Sequence, residues 1–232
     1  MGVLGADGSD TAGTEREGVT KFHLRYTRDA PLAAARLATL QGWRQILFDL
    51  GLIGQEATDS GLIGFGNVSE RFDAGQKGQE RFLITATQTG HKAVLTAKDY
   101  SLVTGWDLAA NRIDAEGPSP PSSESLTHAI FYASLVDVRY VFHGHSPEIW
   151  SCADALGLPS TARDAPYGTP EIAREVQALL ALPDCRAAGL VVMGGHRNGV
   201  ISFAARAEDA GDILIRTLAR ARGFAPTPKT SP

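Results

Sequence analysis

Apolar residues recur at helical spacing in several stretches of the chain. Between residues 31 and 52 this spacing predicts an amphipathic helix with Pro31 near its start and Gly51 near its end. A second helix is predicted from residue 122, where serine can act as the N-cap. A third begins at Thr169, which directly precedes a proline, and a last one covers residues 207–222.

Short apolar runs rich in β-branched residues lie between these helices and predict strands, over 81–87, 138–142, 189–193 and 200–204. The alternation of helices and strands predicts a single α/β domain. We place this domain over residues 23–224. The polar segments on either side, residues 1–22 and 225–232, are expected to be disordered tails.

Composition and charge exclude several classes of protein. Hydrophobic residues make up 43% and charged residues 21% of the 232 residues, which is ordinary for a globular domain with a substantial core. The formal net charge of −4 argues against a nucleic-acid partner, which needs a basic face.

The sequence also predicts a cytoplasmic protein without a membrane anchor. No apolar run reaches the ~18 residues that span a bilayer. The first 20 residues lack the basic and apolar regions of a secretory signal. Cys152 and Cys185 are not paired in a CxxC motif, and we expect them to be reduced structural thiols.

Two histidines, His143 and His145, flank a single glycine where the strand predicted over 138–142 ends. Alternate residues of a strand face the same side, so both imidazoles are expected on one face. Such a pair either binds a metal or forms ordinary hydrogen bonds. His196 also follows a predicted strand, and three imidazoles with one open position are a standard catalytic zinc arrangement. We therefore expect a metal site on these three histidines.

Glu124 opens the helix that precedes the HxH strand. The helix dipole favours a carboxylate there, so the position alone does not establish a catalytic role. Ser122 and Ser123 can cap the helix, or they can offer hydroxyls and backbone N–H groups to an anion. His128 lies four residues after Glu124 on the same helical face, where it either orients the carboxylate or is simply packed.

Two further turns are weaker candidates for anion binding. Asn67 lies in a glycine-punctuated segment after the first helix, and Thr89-Gly90 follows the strand predicted over 81–87. Backbone N–H groups in either turn can cradle a phosphate, although Gly-Asn is also common in ordinary turns.

Taken in order, these segments resemble the class II aldolase/adducin family over about residues 35–220. The matching pieces are GNVS (66–69), TATQTGHKAVLTAKDYSLV (85–103), PSSE (121–124) followed by His128, VFHGHS (141–146), PYGT (166–169) and the third histidine, His196. Each piece is short, but their shared order and spacing are specific to the family.

The resemblance implies a three-layer α/β/α domain with a central, mostly antiparallel sheet of about nine strands. It implies one Zn²⁺ per subunit on His143, His145 and His196, with another divalent metal as an alternative. It also implies a small-molecule substrate and a homotetramer with active sites between subunits. Glu124 would take and return a proton while the metal stabilises an enediolate. The residues implied in binding the substrate phosphate are Asn67, Thr89, Gly90, Ser122 and Ser123.

Within the family, Glu124 favours a lyase. The epimerases of the family carry Asp in this motif, whereas aldolases and related decarboxylases carry Glu. The resemblance therefore implies aldolase-type cleavage of a C–C bond in a sugar phosphate or a hydroxy or keto acid, with a decarboxylase as the alternative.

Two departures from the family pattern leave the substrate open. The segment between His145 and His196 looks shorter than in related aldolases, where it provides a tyrosine proton donor, and Tyr167 is not assigned that role. Second, His196 is followed by Arg197-Asn198-Gly199 where the family has an immediate glycine. In addition, His91 and Lys92, beside the Thr89 turn, could recognise an acid.

Two other interpretations of the histidines are a cupin-type oxygenase and a non-catalytic scaffold that keeps a metal for stability. A cupin centre places its Glu shortly after the HxH pair in an almost all-β chain. Here Glu148 follows the pair, but the sequence predicts too many helices for an almost all-β cupin. Iron on two histidines and one carboxylate would favour the oxygenase, and zinc the aldolase.

Overall fold

The computed structural model describes residues 20–58, 61–73 and 80–224, so most of both expected tails lies outside the described residues. The helices are α1 (Ala34–Asp49), α2 (Ser125–Ser134), α3 (Pro147–Ser151), α4 (Pro170–Leu180), α5 (Pro183–Ala188) and α6 (Ala207–Phe224). The strands are β1 (His23–Arg28), β2 (Gly54–Thr58), β3 (Gly61–Phe65), β4 (Asn67–Arg71), β5 (Phe82–Thr85), β6 (Tyr100–Asp107), β7 (Arg112–Gly117), β8 (Tyr140–His145), β9 (Leu190–Val192) and β10 (Gly199–Ala204). None of the helices in the described ranges has the length and apolar character needed to cross a membrane.

Eight strands form one central sheet, in the order β1-β7-β6-β5-β4-β8-β10-β9. Neighbouring strands are antiparallel except for β1 and β7, which run parallel. The prediction of a mixed α/β fold with a mostly antiparallel central sheet is confirmed, with eight strands in that sheet where about nine were expected. Because β8 is paired on both sides, by β4 and β10, its backbone is firmly held.

Helices cover both faces of the sheet and complete three layers. Side chains of α2, α4 and α5 pack on one face, and those of α1, α3 and α6 pack on the other. Along β8, Val141 belongs to the first core and Phe142 to the second, as the alternation of a strand requires. The same alternation directs His143 and His145 toward the face that α2 covers.

Strands β2 and β3, which lie between α1 and β4 in the sequence, form an antiparallel ribbon separate from the central sheet. The ribbon leads into β4 through Gly66, whose φ is +78° and where an added Cβ would lie 2.7 Å from Cγ1 of Ile53. Glycine therefore allows the tight entry into β4. As a result Asn67, the first residue of β4, pairs with His143 across the sheet.

The structure corrects the predicted elements mainly at their ends. The first helix begins at Ala34, three residues beyond Pro31, because the backbone of Ala33 is not helical, with a ψ of 133°. The strand predicted over 138–142 continues to His145, since β4 pairs with it as far as His143 and β10 as far as His145. The HxH pair therefore lies within a rigid strand and not after it. The glycine-punctuated segment and the exposed edge strand β1 were not predicted as strands.

Candidate metal and substrate site

The three histidines predicted as ligands converge at one buried point. His143 and His145 project from the same side of β8, as their spacing requires. His196 reaches them from the turn between β9 and β10. That turn is fixed by hydrogen bonds from His196 N to Met193 O at 3.1 Å and from Gly199 N to His196 O at 2.8 Å. One potential ligand nitrogen from each histidine lies within 4.8 Å of the other two.

The contacts of two of the histidines direct their Nε2 atoms toward the centre of the site. Nδ1 of His143 lies 3.1 Å from the carbonyl oxygen of Val200 and donates to it, so Nε2 faces the centre. Nδ1 of His196 lies 3.2 Å from Oε1 of Glu124, and the Nε2 atom of that ring faces His145.

The spacing of these nitrogens fits a metal. Nε2 of His145 and Nε2 of His196 are 3.1 Å apart. Two nitrogens on a tetrahedral zinc with bonds of about 2.0–2.1 Å are separated by about 3.3 Å. The donor set and its geometry therefore suit a divalent cation held by three imidazoles.

Glu124 lies at the N-cap of α2 with its carboxylate directed at the histidines, and it is 4% exposed. Its Oε2 lies 3.0 Å from Nε2 of His143 and accepts a hydrogen bond of 2.6 Å from Nδ2 of Asn67. Sequence reasoning grouped Asn67 with the residues that bind substrate phosphate. In the structure its side-chain amide orients the carboxylate.

The electrostatics of the cluster keep the carboxylate ionised. Burial raises the pKa of Glu124, but the adjacent His143 and His196 outweigh burial and hold that pKa below its usual range. Burial, with His196 and His143, lowers the pKa of His145 well below its ordinary value. An ionised carboxylate therefore lies beside a neutral imidazole, which is the form that binds metals.

A polar pocket opens beside the histidines and Glu124. It brings together every residue expected to bind the substrate phosphate, namely Asn67, Thr89, Gly90, Ser122 and Ser123. Oγ of Ser122 accepts a hydrogen bond of 3.3 Å from the backbone N–H of Glu124, and the Thr89 hydroxyl donates to Ala86 O at 2.8 Å. These contacts fix the turns on either side of the pocket.

Comparison with known proteins identifies the family. Residues 57–221 match the family model described as Class II Aldolase and Adducin N-terminal domain. The chain belongs to the class II aldolase/adducin family. The prediction made from the motifs is thereby confirmed. No curated protein sequence matches the chain significantly.

Solved structures of aldolases share the fold. The L-fuculose-1-phosphate aldolase from Thermus thermophilus is 23% identical, with a TM-score of 0.57 over 82% of this chain and 93% of that one. A sugar-phosphate aldolase from Thermotoga maritima is 17% identical, with a TM-score of 0.58 over 84% of this chain and 99% of that one. The L-fuculose 1-phosphate aldolase from Glaciozyma antarctica is 14% identical, with a TM-score of 0.54 over 82% of this chain and 72% of that one.

His128 packs beneath the site of this class II aldolase fold. Its Nδ1 lies 2.6 Å from Oγ of Ser69, and that hydroxyl lies 2.6 Å from the hydroxyl of Tyr132. Nε2 of His128 has no hydrogen-bond partner among the described residues, so the ring does not hydrogen-bond to the Glu124 carboxylate. Of the two roles left open by the sequence, the packed histidine is the one observed. Burial lowers the pKa of His128 to about 3.

Two other candidates from the sequence lie apart from the histidines. Nζ of Lys92 pairs with Oδ1 of Asp99 at 2.5 Å, so this lysine is engaged in the turn that precedes β6. Glu148 lies in the first turn of α3, where its carboxylate contacts Ser146 and Arg222 at 3.0 Å and 3.2 Å. The position of Glu148 and the three-layer fold exclude the cupin interpretation.

Sequence reasoning missed two aromatic side chains that cover the histidines. The Phe65 ring stacks on His145, with centroids 4.7 Å apart and an angle of 11° between the planes. The Tyr167 ring packs on His196 at 4.6 Å, and both aromatics line the pocket. The PYGT motif contains Tyr167 but does not indicate its contact with His196, and nothing local in the glycine-rich segment indicates where Phe65 points.

Arg44 is a third residue that sequence reasoning missed. It lies on the buried face of α1 and is 1% exposed, and its guanidinium donates to backbone carbonyls of the loop that contains Thr89 and Gly90. An arginine among apolar positions of an amphipathic helix was the available signal.

Proposed function

We propose that the chain is a zinc-dependent lyase that cleaves a C–C bond in the manner of an aldolase. The substrate class we propose is a sugar phosphate or a hydroxy or keto acid. The observation that carries this proposal is the convergence of Glu124 with His143, His145 and His196 in one buried cluster beside a polar pocket. The solved aldolases that share the fold, which include L-fuculose-1-phosphate and sugar-phosphate aldolases, support the substrate class.

Zinc is the proposed metal, with one ion per subunit, because three imidazoles and an open position are its usual catalytic coordination. Another divalent metal can occupy the same donors. When bound, the metal supplies Lewis-acid stabilisation for negative charge that develops on substrate oxygens.

Glu124 is the proposed acid/base residue. Its carboxylate is ionised and therefore ready to accept a proton from carbon or oxygen of the substrate. The Asn67 amide donates to one carboxylate oxygen, and Nδ1 of His196 lies 3.2 Å from the other. This orientation keeps Glu124 directed at the pocket, where a short proton transfer is geometrically possible.

The far side of the pocket is the proposed anion subsite. Ser122 and Ser123 precede α2, so backbone N–H groups and the helix dipole favour a negative group there. Thr89 and Gly90 form the opposite turn. A phosphate held between these turns would supply remote binding energy that orients the reacting carbons near Glu124.

We further propose a cytoplasmic homotetramer with active sites at subunit interfaces, as the family resemblance implies. Size-exclusion chromatography with light scattering tests this assembly. A monomer of 24.6 kDa that turns over substrate would refute it.

The direct test of the function is a screen of the zinc-loaded protein against sugar phosphates and hydroxy or keto acids. We expect aldehyde release from one member, abolished in Glu124→Gln and in His145→Ala. Release of CO₂ in place of an aldehyde would identify the alternative, a decarboxylase of the same family. A non-catalytic scaffold predicts no turnover of any member, together with a metal that is needed only for folding.

A further inference from the structure

Arg44 contacts the turn that contains Thr89 and Gly90 but does not itself line the pocket. Its Nη2 donates to the carbonyl oxygens of Thr89 at 3.0 Å and Gly90 at 3.3 Å, and its Nη1 donates to that of Ala93 at 2.9 Å. The side chain is 1% exposed, whereas Thr89 and Gly90 line the pocket. The turn is therefore held between a buried guanidinium and the site.

This arrangement sets the direction of two consecutive peptide groups. None of the described peptide bonds is cis, and in a trans peptide the C=O and the following N–H point in opposite directions. Because the carbonyls of Thr89 and Gly90 point at Arg44, the N–H groups of Gly90 and His91 point away from it. Among the described residues neither N–H donates to a backbone acceptor. Successive N–H groups with a common direction form an anion-binding nest.

The charge of Arg44 adds to these dipoles. Within the described part of the chain its hydrogen-bond partners are all carbonyl oxygens, and its guanidinium lies 4.8 Å from the centroid of Phe48. Burial lowers the pKa of Arg44, while Tyr100, Asp99 and Asp49 act to raise it. The guanidinium nevertheless stays protonated, as it does in proteins generally. The nearby Asp99 is paired with Lys92. A buried cation without a directly bonded carboxylate therefore lies behind the nest.

We propose that Arg44 is a positioning residue that makes the Thr89–Gly90 turn a subsite for a doubly charged anion, a phosphate in preference to a carboxylate. It orients the Gly90 and His91 N–H groups, and its charge favours a dianion more than a monoanion. This inference rests on the proposed function, since it specifies the charged end of the substrate.

The test measures binding of inorganic phosphate and of acetate to the zinc-loaded protein by calorimetry. The proteins compared are wild type, Arg44→Lys and Arg44→Gln. The matched control is Gln41→Ala, because Gln41 lies on the same helix and donates a neutral hydrogen bond of 2.8 Å to Leu95 O in the same loop. Zinc content and the thermal midpoint are recorded for each protein.

We expect wild type to bind phosphate more tightly than acetate. Arg44→Gln should weaken phosphate binding by about tenfold or more, because hydrogen bonds to a charged group are lost and the loop is no longer oriented. Arg44→Lys keeps the charge but cannot reach three carbonyls at once, and should show an intermediate loss. Gln41→Ala should bind phosphate within about twofold of wild type. With a phosphorylated substrate, Arg44→Lys should raise KM and leave kcat nearly unchanged.

Wild-type phosphate affinity in folded Arg44→Gln or Arg44→Lys would overturn the proposal, and so would equal losses in Gln41→Ala. If the wild-type protein binds zinc but binds acetate more tightly than phosphate, this inference is overturned, whereas the proposed metal site is not. Wild type that binds no zinc would refute the proposed function separately, and phosphate binding to the metal-free variants would still decide the role of Arg44.

Discussion

Oε1 of Glu124 lies 3.2 Å from Nδ1 of His196, so the proposed proton carrier is in direct contact with a proposed metal ligand. A histidine that donates through Nδ1 presents Nε2 to a metal, and partners of this kind tune both affinity and orientation. The proposed metal ligand and the proposed base are thus linked through one close contact. Substitutions at either residue should therefore be followed by metal content as well as by rate.

Zinc should stabilise the folded chain through the three histidines. A ligand present at 100 times its Kd adds about 2.7 kcal/mol, which for a chain of this size raises the Tm by roughly 5–10 °C. Calorimetry with and without zinc measures the shift. His145→Ala should lose it, and His91→Ala should retain it because His91 is exposed outside the cluster. A shift that persists in His145→Ala would refute the assigned ligand.

Phe65 should maintain metal affinity through its stacking on His145. Phe65→Leu keeps an apolar side chain but loses the planar contact, and we expect zinc affinity to fall by about tenfold, as for other groups that orient ligands. Phe65→Tyr should bind zinc like wild type. Competition with a coloured chelator provides the measurement, with Leu62→Ala as the control because Leu62 is 66% exposed on the same ribbon. Equal affinities for the Leu and Tyr variants would contradict this role.

Stability should fall as the pH drops below the ordinary histidine pKa, in part because of His128. Burial is the largest cause of its lowered pKa of about 3; Glu124 opposes the shift and His143 adds to it. Between about pH 6.5 and pH 3 the unfolded chain binds a proton at this residue that the folded chain does not. The contribution of His128 to the free energy of unfolding is therefore complete above pH 6.5 and is lost toward pH 3. In that range the free energy of unfolding falls by up to about 1.4 kcal/mol for each pH unit.

Urea unfolding at pH 7.5 and pH 5 measures this contribution. His128→Gln should show a shallower dependence of the unfolding free energy on pH than wild type. Parallel slopes for the two proteins would mean that His128 does not titrate as its burial requires.

Gly90 should tolerate no side chain. An added Cβ would lie 2.1 Å from Gly54 O and 2.8 Å from Phe65 N, both backbone atoms of the ribbon. Gly90→Ala should therefore cost about 2 kcal/mol or more of unfolding free energy. Gly42→Ala is the matched control, because Gly42 is exposed within α1 with nothing within 4 Å of an added Cβ. That variant should be more stable by about 0.5–1 kcal/mol, and a stable Gly90→Ala would contradict the packing of the ribbon.

Much of the site could be predicted because its residues lie in regular elements. The two-residue spacing of His143 and His145 on a strand determines that they share a face. Ser122 and Glu124 precede a helix whose start is visible in the sequence. The apolar cores on both faces follow from periodicity alone.

The contacts that complete the site could not be predicted, since they join segments distant in sequence. The Asn67 amide reaches Glu124 only because β4 pairs with β8. Phe65 reaches His145 through a glycine-rich ribbon with no alternating pattern. The burial of Arg44 among the apolar positions of α1 could not be predicted, because it depends on carbonyl partners about 45 residues away in the sequence.

The most direct test of the proposed chemistry is proton exchange from carbon in D₂O, followed by NMR. The zinc-loaded protein is incubated with dihydroxyacetone phosphate and with the hydroxy and keto acids of the screen, so the aldehyde need not be known. We predict that wild type exchanges a C–H hydrogen beside the carbonyl of one compound, and that Glu124→Gln with full zinc content does so at least about 100-fold more slowly. Exchange at the wild-type rate in Glu124→Gln, or no exchange by wild type with any compound, would contradict Glu124 as the base.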